Sequence, residues 1–287
     1  MFKKAIKQEA KLRLAIAGPS GSGKTYTSLA IASHLGGKIA VVDTEHGSAS
    51  KYADKFQFDV MELEPPFHPD RFVKAIYEAQ NAGFSVIILD SLSHAWNGSG
   101  GLLEVVDQIA ARSSSKNSFA AWKEGTPIYN KMIDGIIQSN IHIIATMRTK
   151  QDYVLEVDER GKQKPVKVGM NPIQRDGFEY EFDVVLTLDN DNRGIVTKSR
   201  CEKLSGGIFA KPGKEVAEIL TEWLTGAPRI EMTDVLSTKA IEYAAKTWNI
   251  SPVDAKAEIE RALSDGTLNA QHDKVGFKDF VVGLKSK

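Results

Sequence analysis

The sequence predicts an α/β fold: a mostly parallel central sheet with helices on both faces, antiparallel strands at an edge, and a small C-terminal helical unit. Three observations lead there. Near-continuous apolar runs alternate with helix-period segments through the first two-thirds of the chain, the pattern of parallel strands covered on both sides. Gly18-Pro19-Ser20-Gly21-Ser22-Gly23-Lys24-Thr25 joins the first such strand to the first such helix, where a phosphate-gripping loop belongs. Past residue 150 the runs are separated by short turn sequences instead, which read as antiparallel additions. The 287 residues leave room for one large core and an appendage.

Residues 12–17 form the first strand and 24–35 the first helix. Strands at 39–43, 58–63, 86–90 and 141–147 follow, with helices at 69–82, 101–112 and 126–139. Residues 153–157 and 164–168 flank Asp158-Glu159-Arg160-Gly161, a hairpin signal. Strands at 183–188 and 194–199 are joined through Asp189-Asn190-Asp191-Asn192-Arg193-Gly194. A helix at 214–224 closes the core, and Gly226-Ala227-Pro228 marks a boundary between residues 1–226 and 229–287. In the second part Leu236, Ala240, Ile241, Ala244 and Trp248 share one face of a helix over 233–248. Ser251-Pro252 caps a further helix ending near Asp265-Gly266. Nothing in this unit carries chemistry.

Formal net charge is zero, so a nucleic acid or membrane must be met by a local patch rather than by a whole-chain field. The lone Cys201 excludes an internal disulfide and a cysteine-only metal site, and fits a reducing cytoplasm. No apolar run approaches the roughly 18 residues a membrane span needs. The opening MFKKAIKQEAKLR is basic but lacks the apolar stretch of a secretion signal. Its Lys3, Lys4, Lys7, Lys11 and Arg13 read as a solvated helix face, with a subunit or nucleic-acid contact as the other reading.

The chemistry sits at the strand ends. In the P-loop, glycines let successive N–H groups point at a phosphate, Lys24 reaches the β- and γ-phosphates, and the Thr25 hydroxyl can ligate Mg²⁺. Val86-Ile87-Ile88-Leu89-Asp90 delivers one carboxylate to the metal edge of the same site, and Ser91 beside it reads as a turn cap. Asp43-Thr44-Glu45-His46-Gly47 ends the strand after the P-loop helix, where parallel strands converge on a ligand. Glu45 there can orient or deprotonate an attacking water; the alternative is a loop residue paired with a nearby cation. Lys198 and Arg200, two apart on a strand, point to one side and can meet one anion; the alternative is an edge strand protected by charge.

With those motifs in place, residues 10–225 resemble the RecA family of recombination ATPases. The likeness is greatest to the small RecA-like recombinases and single-strand-annealing ATPases of tailed bacteriophages. The resemblance implies a RecA-like P-loop NTPase core, with ATP and Mg²⁺ as cofactors. Nucleotide would be held by Gly18, Pro19, Ser20, Gly21, Ser22, Gly23, Lys24, Thr25 and Tyr26, metal by Thr25 and Asp90, with Glu45 as catalytic base. It further implies that Lys198 and Arg200 act on the γ-phosphate bound by the next subunit of a ring or filament, and that Thr146-Met147-Arg148 senses the γ-phosphate held by its own P-loop. Single-stranded DNA is the implied partner, with a single-strand-binding protein beside it and no membrane, in the cytoplasm of a host cell.

The basic residues Arg160, Lys162, Lys164, Lys167 and Arg175 are the candidate DNA contacts, in a stretch with no acidic residue; a solvated hairpin is the alternative. A second candidate loop is 112–125, where Phe119 and Trp122 could stack on bases or simply pack. Function is thus expected to be ATP-dependent recombination or annealing of single strands. The rivals are a hexameric helicase-like motor, a P-loop kinase acting on a small molecule, and an adaptor using ATP only as glue.

Overall fold

The computed structural model describes residues 10–112, 117–157, 163–225, 232–234, 238–264 and 271–273, with positions 236, 268, 277 and 280–282; for some of these, chiefly 151–169, it describes the backbone alone. The chain forms two compact units, Met1–Gly226 and Ala227–Lys287.

The first unit runs β1 (Arg13–Gly18), α1 (Lys24–Ala32), β2 (Ile39–Asp43), β3 (Asp59–Glu62), α2 (Pro69–Asn81), β4 (Val86–Asp90), α3 (Ser93–Asn97), α4 (Leu102–Arg112) and α5 (Ser118–Ile137). It continues through β5 (His142–Val157), β6 (Gln163–Pro172), β7 (Val184–Leu188), β8 (Arg193–Ser199), β9 (Ile208–Ala210) and α6 (Lys214–Thr225). Its sheet has nine strands in the order β3-β2-β4-β5-β1-β7-β8-β9, with β6 paired to β5 alone. Strands β3 through β7 along that order are parallel, and β8, β9 and β6 are antiparallel additions.

The apolar runs are continuous because both faces of the sheet are covered. Leu14 and Ile16 of β1, Val86 and Ile88 of β4 and Ile144 of β5 face α1 and α6. Their neighbours Ala15, Ala17, Ile87, Leu89, Ile143 and Ala145 face α2, α4 and α5. Period-two alternation therefore distributes one run between two cores.

Several expectations are corrected. Helix α5 starts at Ser118, not 126, because Asn117 Oδ1 accepts from the N–H groups of Phe119 and Ala120 at 2.9 and 3.4 Å. Pro127 lies inside the helix, and the buried stripe Ala121, Gly125, Tyr129, Met132 runs straight through it. Residues 142–147 and 153–157 belong to one strand, β5, whose pairing with β6 shifts register between Asp152 and Tyr153. Strand β7 is parallel to β1 rather than an antiparallel addition. Arg13 is no part of a solvated helix face. Its buried guanidinium donates to the carbonyls of Leu12 and Ile141 and to those of Ile137 and Ser139, at and just past the end of α5, where helical partners run out. Burial pulls its pKa down to about 10, against the raising effect of Asp183.

The second unit comprises β10 (Met232–Asp234), α7 (Thr238–Trp248), α8 (Pro252–Ser264) and β11 (Gln271–Asp273). The small antiparallel pair of β10 with β11 is unforeseen, and Leu236 lies before α7 rather than in it. Ala240 and Ala244 pack against Ala255, Ile259, Phe277 and Val281, and Trp248 Nε1 donates to the Val281 carbonyl at 2.7 Å. Among the described residues no helix is long and apolar enough to cross a membrane.

Candidate nucleotide-binding site

Strands β1, β2 and β4 end on one side of the sheet, level with Arg148 partway along β5: Asp43 lies opposite Asp90, and Gly18 opposite Arg148. The P-loop turns there. Gly21 and Gly23 have φ of 79° and 83°, in the left-handed region where glycine alone is unstrained. A Cβ on Gly18 would fall 2.5 Å from Ser22 Oγ and 2.9 Å from the Leu188 carbonyl, so that position admits no side chain. Lys24, buried at the first position of α1, donates from Nζ to the carbonyls of Gly18 and Pro19 at 3.0 and 2.8 Å. Burial lowers its pKa, while Glu45 and Asp90 act to keep it charged.

Thr25 and Asp90 are brought together. Asp90 is 1% exposed and accepts from Thr25 Oγ1 at 2.5 Å through Oδ2, and from Thr146 Oγ1 through Oδ1. Burial raises its pKa; the two hydroxyl bonds oppose that, and Glu45 and Asp43 add to it. Hydroxyl and carboxylate oxygens of this kind fit Mg²⁺, which keeps most of its shell for water and phosphate oxygens. Among the described residues there is no cluster of three His, Cys, Asp or Glu side chains to cage a metal without such help.

The Glu45 turn is braced from beneath. Buried Asp43 accepts from the Glu45 and Ala49 N–H groups at 2.6 and 2.8 Å, so this carboxylate holds the turn. Thr44 Oγ1 accepts from the Ser91 N–H at 2.8 Å and meets His94 Nδ1 at 2.7 Å. His94 stacks on Phe67, and burial, with Arg148 nearby, lowers its pKa. Ser91 acts as the turn cap expected, its Oγ accepting from the Ser93 N–H at 3.3 Å. The Glu45 carboxylate reaches the cleft and pairs with Arg148, Oε1 to Nε 2.9 Å.

Lys24, Thr25, Glu45, Asp90 and Arg148 thus line one cleft of about 630 Å³. Tyr26 does not line it; its ring packs edge-on against Tyr52, which does. Sequence reasoning missed the Thr44–His94 contact, because nothing local marks a hydroxyl whose partner is 50 residues away, and it missed Ser48 and Thr149, which line the cleft without a hydrogen-bond partner.

Lys198 and Arg200 do converge, but not on this cleft. Lys198 Nζ donates to the carbonyls of Glu179, Tyr180 and Phe182, and Arg200 pairs with Asp183 at 3.3 Å. Ser199 lies opposite Val184, which lies opposite Leu14. Both cations therefore sit toward the far end of the sheet, about 13 Å along β1 from Gly18 at the rise of a strand.

Of the candidate DNA contacts, Arg160 and Lys162 lie outside the described residues. Lys164 and Lys167 pair through their backbones with Glu156 and Tyr153 of β5, and their side chains also lie outside the description. Arg175 packs its guanidinium 5.5 Å from the Trp122 ring and 5.1 Å from Tyr129. Trp122 belongs to α5 rather than to a loop and stacks on Trp96, whereas Phe119 is 86% exposed.

A family model described as an AAA domain matches residues 10–225. Among solved structures the chain is similar to the RadB recombinase, at 16% identity and a TM-score of 0.39, over 68% of this chain and 84% of that one. No curated protein matches.

Proposed function

Because the chain belongs to the AAA domain family over residues 10–225, we propose that it hydrolyses ATP in the cleft of Lys24 and couples this to single-stranded DNA, as a recombination or annealing protein of phage type. The observation that carries the reading is the convergence of Lys24, the Thr25–Asp90 pair and Glu45 on one cleft. Lys24 would exchange its two carbonyl partners for the β- and γ-phosphates. Thr25 and Asp90 would hold Mg²⁺, whose charge offsets that developing on the transferred phosphoryl group. Glu45, on a turn fixed by Asp43, would orient the attacking water and take its proton.

Lys198 and Arg200, placed away from the cleft of their own chain, suit a γ-phosphate held by a neighbouring copy in a ring or filament. The hairpin of β5 and β6, with Lys162, Lys164 and Lys167, is the proposed DNA-binding arm, met in the cytoplasm by single strands and a single-strand-binding protein.

The deciding experiment is the ATPase rate with and without single-stranded DNA. Stimulation is expected; phosphotransfer to a small molecule with no response to DNA would replace this reading with a kinase. Neutralising Lys162, Lys164 and Lys167 should lower the log–log salt slope of DNA binding by about 0.7 per lost phosphate contact. Arg200→Ala should lose turnover, and mixing it with Lys24→Ala should restore part of it. A lost arginine finger is worth about 10³–10⁵ in rate, so even partial rescue is readable. No rescue in confirmed mixed oligomers would end the interface model.

A further inference from the structure

Arg148, the cation paired with the candidate base, also borders the phosphate cleft. Arg148 meets Glu45 through Nε, and its two Nη groups meet no acceptor among the described residues, although a guanidinium offers five donors. Its backbone is fixed at both ends: the N–H donates to Ser93 Oγ at 3.0 Å, and the carbonyl accepts from the Ile173 N–H at 2.7 Å. The side chain is 45% exposed, so it can swing about a held Cα. Glu45 is likewise held through its own N–H. Two hydroxyl oxygens on the same wall, Ser48 Oγ and Thr149 Oγ1, are buried and have no hydrogen-bond partner, as befits a surface built to receive further polar atoms. Lys24 and Arg148 repel across the cleft, so an anion between them satisfies both.

We propose that Arg148 is a latch on Glu45, released by the terminal phosphate of a nucleoside triphosphate. The guanidinium is shared between two anions. When the γ-phosphate takes it, the Glu45 carboxylate loses its cation and is free to accept a proton from water; a diphosphate, which lacks that group, leaves the pair closed. The proposal rests on the nucleotide-site reading above and adds to it a reason why triphosphate alone arms the base.

By linkage, whatever Glu45 contributes to holding Arg148 is subtracted from triphosphate affinity. The test is equilibrium binding of Mg²⁺-ADP and of a non-hydrolysable, imido-bridged ATP analogue to the full chain, by displacement of a fluorescent nucleotide, with melting curves to confirm folding. Glu45→Gln should tighten the triphosphate about 2- to 5-fold, the worth of a partly exposed pair, and leave ADP unchanged. Arg148→Ala should weaken the triphosphate about 10-fold or more and spare ADP, the loss of a hydrogen bond to a charged group. In the Arg148→Ala background, Glu45→Gln should give no further tightening. An unchanged triphosphate-to-diphosphate ratio in Glu45→Gln would overturn the latch. So would equal tightening with or without Arg148, which would mean simple removal of a negative charge. A folded wild type that binds neither nucleotide would sink the site reading itself, and the latch with it.

Discussion

Asp90 is the residue at which stability and function pull apart. A carboxylate 1% exposed is held against its own desolvation by two threonine hydroxyls. Its folded pKa is raised, so between the ordinary carboxylate value near 4 and the folded value the folded state binds more protons than the unfolded one. Stability therefore declines as pH rises through that window, and the deficit persists at neutral pH. Without metal, Asp90→Asn should melt at or above the wild-type temperature at pH 7.5, with the difference shrinking toward pH 4. Its Mg²⁺-dependent hydrolysis should fall about 100-fold or more, as for other losses of preorganised transition-state charge. A variant less stable at pH 7.5 than at pH 4, relative to wild type, would show that its hydroxyl partners matter more than its charge. Lys24→Ala should weaken ATP binding by about 10- to 100-fold, the loss of charge-assisted bonds, measured by nucleotide titration. These residues were legible in the sequence because their chemistry dictates their spacing. Arg148 was read only as a candidate phosphate sensor, and its pairing with Glu45, 103 positions away in the chain, was not foreseen.

At the scale of elements, strands read more truly than the helix that packs on them. A buried parallel strand must be apolar throughout, so residues 86–90 matched β4 to the residue. Helix α5 was misjudged because Gly125-Thr126-Pro127 imitates a helix start. Packing explains that glycine: a Cβ at Gly125 would fall 2.4 Å from Val106 Cγ2 of α4. Gly125→Ala should therefore lower the melting temperature, with overpacking of about 1–3 kcal/mol outweighing the helix-propensity gain. Adding Val106→Ala should recover part of the loss, although Val106→Ala alone destabilises by opening a cavity. Additive losses in the double variant, read from melting curves, would mean that the two sites do not touch. Arg175→Ala should lower stability by about 1 kcal/mol through its two aromatic partners. If it lowers the salt slope of DNA binding as well, it belongs to the DNA surface after all.

For the whole molecule, the sequence reading puts a boundary at the turn signal Gly226-Ala227-Pro228. The parallel course of β7 was not legible, since a five-residue strand and its connections do not state which neighbour it will join. Every described residue lining the cleft belongs to the first unit. A chain ending at residue 226 should accordingly keep nucleotide affinity within about 2-fold, the range left when no direct partner is removed. Trp248→Ala in the full chain should loosen the second unit, whose indole bonds the Val281 carbonyl, without changing that affinity. Loss of nucleotide binding in either variant would mean that the second unit supports the site.

Strand β5 answers to two sets of neighbours. Up to Arg148 it is registered by β1 and β4; from Thr149 onward it is registered by β6 alone. The seam falls immediately after the residue that grips Glu45. Descendants of this chain are therefore free to lengthen or shorten the outer arm, in steps of two residues that keep each face outward or inward, while Thr146 and Arg148 stay where they are. A change in the arm's length leaves the Glu45–Arg148 pair and the Thr146–Asp90 bond in place.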